Sequence, residues 1–128
     1  MRVSLPISAV ILALAFIVAG YKTVFAGSEE LRLTKLVVKE DLEAGDPYEV
    51  VLLFTMSSTV TIERVCFLWD DEGPYCWKKF YVYWGAGEIR TKARTNNPNI
   101  YTLTGYVDYN NGTESKISNS VSADINVR

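Results

Sequence analysis

The stretch Val65–Trp84, VCFLWDDEGPYCWKKFYVYW, holds both cysteines, all three tryptophans and the densest aromatic run of the chain. It reads as a β-hairpin. On the outgoing strand Val65, Phe67 and Trp69 share one face, and Cys66 and Leu68 the other. Asp70-Asp71-Glu72-Gly73-Pro74 supplies the tip, because Gly73 can take a positive φ and Pro74 ends pairing locally. Tyr75–Tyr83 is the return strand. On it Tyr75, Trp77, Lys79, Tyr81 and Tyr83 share one parity. Exposed, that row would be an aromatic platform for a sugar, a peptide or another subunit, since such rings bury large area and keep a polar edge. Packed inward, it would be core.

Cys66 and Cys76 lie on opposite arms of this hairpin. Their spacing is not the C-x-x-C of a redox site, and two thiolates without histidine make a poor zinc site. In an oxidising compartment the expected state is a disulfide, worth about 3 kcal/mol through restriction of the unfolded chain.

The N-terminal segment supplies that compartment. Arg2 precedes the uncharged run Leu5–Gly20, LPISAVILALAFIVAG, and Val24-Phe25-Ala26 places small residues at −3 and −1 of a cut site. These are the three parts of a secretory signal. The expected organisation is a signal peptide over residues 1–26 and one domain over residues 27–128. An uncut membrane anchor is the alternative, although about 16 apolar residues fall short of the ~20 that span a bilayer. The mature chain is therefore expected outside the cytoplasm, periplasmic or secreted, or else membrane-anchored and facing outward.

Composition narrows the function. The 128 residues are 48% hydrophobic and 22% charged, within the range of an ordinary globular protein. The formal net charge of −2 becomes −4 once Arg2 and Lys22 leave with the signal. A mildly acidic domain is a poor match for nucleic acid. The chain has no histidine, the commonest general base and transition-metal ligand. There is also no G-x-S-x-G. No catalytic residue, metal site or cofactor is expected. Asp70, Asp71 and Glu72 could offer oxygens to calcium, but three acids at a hairpin tip are ordinarily just solvated.

Outward from the hairpin, the chain divides into further short strands. Leu31–Lys39 changes phase at Thr34-Lys35, which implies a bulge or a switch between sheets. Tyr48–Met56, YEVVLLFTM, is nearly continuous in apolar residues and suits a central strand covered on both faces. Glu88–Thr95 alternates Glu88, Arg90, Lys92 and Arg94 against Ile89, Thr91 and Ala93. Its basic stripe is either a solvated face, a protected edge or a contact for an anionic partner. Ile100–Tyr109 carries Tyr101, Leu103, Gly105, Val107 and Tyr109 on one face. Asn111-Gly112 marks a hairpin, with Gly112 supplying the turn conformation. Glu114–Arg128 then sets Ile117, Val121, Ala123, Ile125 and Val127 against polar residues on the other face.

About seven short strands in some 100 residues, with turns at close intervals, is the pattern of an all-β sandwich. Asn97-Pro98-Asn99-Ile100-Tyr101-Thr102-Leu103-Thr104-Gly105-Tyr106-Val107 resembles the start of the penultimate strand of bacterial immunoglobulin-like and fibronectin type III-like domains. Ser118–Val127 looks like their last strand, and the Ala44-Gly45-Asp46-Pro47 turn fits as well. The resemblance covers roughly residues 31–128. It implies a single immunoglobulin-like antiparallel β-sandwich, with Tyr101 in the tyrosine-corner position, its hydroxyl bonded back to the backbone. Both cysteines flank one hairpin, which departs from the antibody-type bridge. The resemblance implies a binding or structural role and no chemistry. The expected partner is another protein or a second copy of the chain, at the cell envelope or outside the cell. The alternatives are a carbohydrate-binding module that takes a polysaccharide, and a membrane-tethered accessory subunit of an envelope complex. A membrane enters only if the N-terminal segment stays uncut.

Overall fold

The alternation of apolar residues along the chain produces nine strands in the computed structural model, which describes residues 30–39 and 41–128. They are β1 (Leu31–Val38), β2 (Pro47–Met56), β3 (Thr61–Trp69), β4 (Glu72–Trp77), β5 (Tyr81–Tyr83), β6 (Glu88–Arg94), β7 (Asn99–Asn110), β8 (Ser115–Ile117) and β9 (Val121–Val127). The expected signal segment and its cut site lie outside the described residues. Among the described residues no helix forms, so none is long and apolar enough to cross a membrane.

The strands form two antiparallel sheets. One has four strands in the order β1-β2-β6-β5. The other has five, β4-β3-β7-β8, with β9 also pairing β7. The first order is that of strands A, B, E and D of an immunoglobulin domain. In the second sheet β3, β7 and β9 take the places of C, F and G. The expected immunoglobulin-like sandwich is therefore the architecture of this chain.

The sheets meet over one apolar core. Leu31, Leu33 and Leu36 of β1, Val50 and Leu52 of β2 and Ile89 of β6 face Val65 and Phe67 of β3 and Leu103 and Val107 of β7, all at most 2% exposed. The phase change in β1 is a bulge between Leu33 and Lys35, which lets leucines of both parities point inward. At its centre the core leaves no room above Gly105. A Cβ there would sit 2.9 Å from the Phe67 ring and 3.1 Å from a Leu52 methyl.

Four expectations are corrected. First, β2 is central but covered on one face only: Tyr48, Val50, Leu52 and Phe54 are buried, while Val51 and Leu53 are half-buried. Second, the hairpin tip is Asp70-Asp71 alone. Trp69 pairs with Glu72, and Gly73 (φ +124°) and Pro74 form an irregularity inside β4. The Asp70 carboxylate accepts from the Thr102 N–H at 2.9 Å, fixing the tip against β7.

Third, Tyr75–Tyr83 is not one strand. β4 pairs with β3, whereas β5 pairs with β6 in the other sheet, and residues 78–80 cross between them. Alternation continues through the crossing, so parity conceals it. Fourth, Glu114–Arg128 breaks into β8 and β9. Ile117 points outward, 69% exposed, and Ser118 turns inward, where its hydroxyl accepts from the Val107 N–H at 3.0 Å. Asn119 then reaches across to β1. Its Oδ1 accepts from the Leu33 N–H and its Nδ2 donates to the Leu33 carbonyl, both at 2.8 Å. These bonds satisfy backbone groups at the β1 bulge and interrupt the last strand.

Candidate functional site

Because β4 stays in one sheet and β5 joins the other, the two sheets part along that side. A cleft of about 1270 Å³ opens between them. Its floor is held by two tryptophans that project from the β3–β4 hairpin toward β6. Trp69 Nε1 donates to Thr95 Oγ1 at 2.8 Å and to Tyr48 Oη at 3.2 Å, and those two hydroxyls share a hydrogen bond of 2.7 Å. Trp77 Nε1 donates to Thr91 Oγ1 at 2.7 Å, and the Thr91 hydroxyl donates to the Lys79 carbonyl at 2.8 Å. Each indole from one sheet thus meets a threonine of the other, and no polar atom of the four is left unpaired.

The rings also pack on one another. Phe67 stacks on Trp77 with centroids 5.2 Å apart, and Tyr75 meets Trp69 edge-on at 5.9 Å. Cys66 and Cys76 are directly opposed on β3 and β4 and form a disulfide. This pins β4 to β3 at the point where the chain leaves for the other sheet. Tyr101 Oη donates to the Asn97 carbonyl at 2.8 Å, four residues upstream, at the same end of the sandwich. Gly112 (φ +97°) sits in a four-residue loop at the opposite end, between the paired Asn110 and Ser115.

Tyr75, Trp77, Lys79, Tyr81 and Tyr83 all line the cleft. They do not form one row, however. Tyr75 and Trp77 belong to β4, Lys79 to the crossing, and Tyr81 and Tyr83 to β5 of the other sheet. Tyr75 is 54% exposed, Tyr81 68% and Tyr83 50%, whereas Trp77 is half-buried. Arg90, Lys92 and Arg94 of β6 line the same cleft, so the aromatic set and the basic stripe are one site.

Charge at the site is uneven. Arg90 bonds Glu88 at 2.9 Å and Glu49 at 3.2 Å, and its guanidinium lies 5.5 Å from the centre of the Tyr83 ring. The hydrogen bond to Glu88, then the charges of Glu88 and Glu49, make it hold its proton more firmly than an ordinary arginine. Lys79, Lys92 and Arg94 make no ion pair among the described residues. Four cations face two carboxylates, Glu49 and Glu72, in a domain whose overall balance is acidic. The acids of the hairpin tip do not converge: among the described residues no three carboxylates or thiols gather at a point that could hold a metal.

The far end of the sandwich is polar and filled. Glu30 accepts from Tyr109 Oη at 3.2 Å, and Lys116 Nζ and Asn111 Nδ2 each approach it at 3.4 Å. Burial pushes its carboxyl up. The backbone hydrogen bond, Lys116, Asn111 and Tyr109 together outweigh that and leave it below the usual value.

The residues that sequence reading missed are Tyr48, Thr91 and Thr95. Their signal was the small inward face of Glu88–Thr95, which leaves the depth that an indole from the opposite sheet fills.

No protein-family model matches the chain, and no curated protein matches it. Among solved structures it is similar to the PKD domain of an M14-like peptidase from a Thermoplasmatales archaeon, at 12% identity over 73% of this chain and 90% of that one, with a TM-score of 0.45. It is also similar to a CARDB domain from Pyrococcus furiosus, solved in complex with di-metal ions, at 12% identity over 76% of this chain and 91% of that one, with a TM-score of 0.46.

Proposed function

We propose that this chain is an exported, non-catalytic binding module that engages a protein partner through the cleft between β4 and β6. One observation carries the reading: exposed tyrosines from both sheets, Tyr75 from one and Tyr81 and Tyr83 from the other, converge on one concave site with Lys79, Lys92 and Arg94, which make no ion pair among the described residues. Concave sites lined by aromatic residues and a few polar groups are where proteins concentrate binding energy. The tryptophans serve a different purpose, holding the site's shape from beneath. A sugar platform fits less well, because it needs rings on one face and these arise from two sheets. The absence of histidine from the whole chain also suits a role without acid–base chemistry.

The test is capture of envelope proteins by the exported chain, compared with the Tyr75→Ala/Tyr81→Ala variant. Both tyrosines are more than half exposed, so the variant should still fold, at a cost of about 1 kcal/mol for the lost edge contact of Tyr75 with Trp69. The reading expects the variant to lose the partner while folding as before. Undiminished capture overturns it. N-terminal sequencing of the exported chain checks the compartment: a start at Gly27 supports secretion or periplasmic release, whereas a start at Met1 in the membrane fraction supports a tethered subunit.

A further inference from the structure

We propose that the occupant of the cleft is an extended polypeptide segment of alternating acidic and apolar residues, which adds as a strand to the free edge of β6. This rests on the cleft being the docking site.

The first observation is an incomplete edge. β2 pairs with β6 along its whole length, from Glu88 to Arg94, but β5 pairs only with Glu88, Ile89 and Arg90 on the other side. From Thr91 to Arg94 that side of β6 has no strand beside it among the described residues. Every second residue of an antiparallel strand turns its N–H and C=O away from a given neighbour. The free stretch therefore offers backbone groups into the cleft. Its upper limit is marked by the Thr91 hydroxyl on the Lys79 carbonyl, where the crossing chain passes.

The second observation concerns the facing edge. β4 is the outermost strand of its sheet, but it is poorly suited as a template. Pro74 has no N–H to give, and the pairing register shifts between Phe67 and Trp69. The cleft thus has one edge that resists a further strand and one that accepts it.

The third observation sets the chemistry of the occupant. On β6, Thr91 and Ala93 face inward, buried, and Lys92 and Arg94 face outward, exposed. An added strand alternates in the same way. Its inward residues would meet the aromatic wall formed by Tyr75 and Trp69. Its outward residues would stand beside Lys92 and Arg94, which make no ion pair among the described residues; Glu49, opposite Lys92 on β2, is bonded to Arg90 instead. Opposite charges across paired strands are stabilising, and like charges are not. Hence the sequence that fits is acidic at one parity and apolar at the other, over about four to six residues.

The probe is a labelled hexapeptide amide, acetyl-Asp-Val-Asp-Ile-Asp-Val, titrated against the full chain by fluorescence anisotropy. Its control has the same composition with the three aspartates grouped. The proposal expects the alternating peptide to bind at least tenfold more tightly than the grouped one, with affinity falling as salt rises. It also expects backbone amides within Thr91–Arg94 to gain protection from hydrogen exchange. K92E/R94E should cost tenfold or more, and a peptide with lysine for aspartate should restore the loss. Equal binding of the two peptides, no binding of either, or indifference to K92E/R94E overturns the proposal. Binding of polygalacturonate without the alternating peptide overturns it too, in favour of an anionic polysaccharide. If Tyr75→Ala/Tyr81→Ala still abolishes partner capture while the peptides fail, the docking reading stands and only the strand is lost. If capture ignores the tyrosines, the docking reading itself fails.

Discussion

The sandwich is closed differently along its two sides. Where residues 42–44, the segment that follows β1, run beside β9, backbone does most of the closing. Leu42 N–H donates to the Asn126 carbonyl at 3.1 Å, Arg128 N–H to Leu42 at 2.8 Å and Ala44 N–H to Arg128 at 2.8 Å, while Asn119 clamps Leu33. Where β4 and β5 part, closure falls to the Trp69 and Trp77 indoles, which reach Thr95 just past β6 and Thr91 on it. Backbone closure brings chains to strand spacing and leaves nothing between them. Closure by long side chains keeps the sheets apart, and the space becomes a lined cleft. The side closed by side chains is the one at which binding is proposed.

The largest expected effect comes from breaking the covalent pin on the open side. Reducing Cys66–Cys76, or replacing both by alanine, should cost about 3 kcal/mol. For a domain of this size that is a fall in Tm on the order of 12 °C or more. Hydrogen exchange should show β4 loosening well before β1 and β9. Equal loosening of both sides would mean that the two closures are not independent. Next is the sealed side. Asn119→Ala strips both partners from the Leu33 backbone, so about 2 kcal/mol is expected in a denaturant titration, with exchange rising at the Leu33 amide. Its peptide binding should be unchanged, because the cleft lies along the other side.

Much of this contrast was legible in the sequence, and the part that was not has a physical cause. The bulge in β1 showed as a phase change between Leu33 and Leu36, because a period of two cannot otherwise put both inside. The inward faces of β6 and β7 were equally plain. What failed was continuity. Tyr75–Tyr83 keeps its alternation while moving from one sheet to the other, and Ser118 breaks the last strand with a hydroxyl that replaces a backbone partner. Neither event changes local composition. The site residues could be picked out as aromatic and cationic, but their meeting in one cleft depends on the crossing at Lys78–Phe80, a non-local fact. The Thr91 and Thr95 anchors were hidden for the same reason.

A smaller effect separates the two indoles. Trp77→Phe keeps the stack on Phe67 and removes the N–H to Thr91, so about 1 kcal/mol is expected. Thr91→Val should cost a similar amount. The double variant should cost less than their sum, since each change already removes the shared bond. Simple additivity in a thermal-unfolding cycle would mean that this bond does not hold the sheets together, and the side-chain account of the open side would lose its main support.

The smallest effect tests the end remote from the cleft. The Glu30 carboxyl lies below the ordinary value of 4.5, so it stabilises the fold when ionised. The sign follows from linkage: a lowered folded pKa gives stability that is fully present above the unfolded pKa and is lost as pH falls through the folded one. The stability difference between the wild type and Glu30→Gln should therefore be about 0.5 kcal/mol near neutrality, the size of a partly exposed ion pair. It should fade below about pH 4. Binding in the cleft should not change at either pH, because Glu30 joins Tyr109 and Lys116 at the opposite end of β7 from Tyr101. A variant that altered both stability and binding would show that the polar end and the open side move together. The cleft would then be coupled to the place where the chain enters the sandwich.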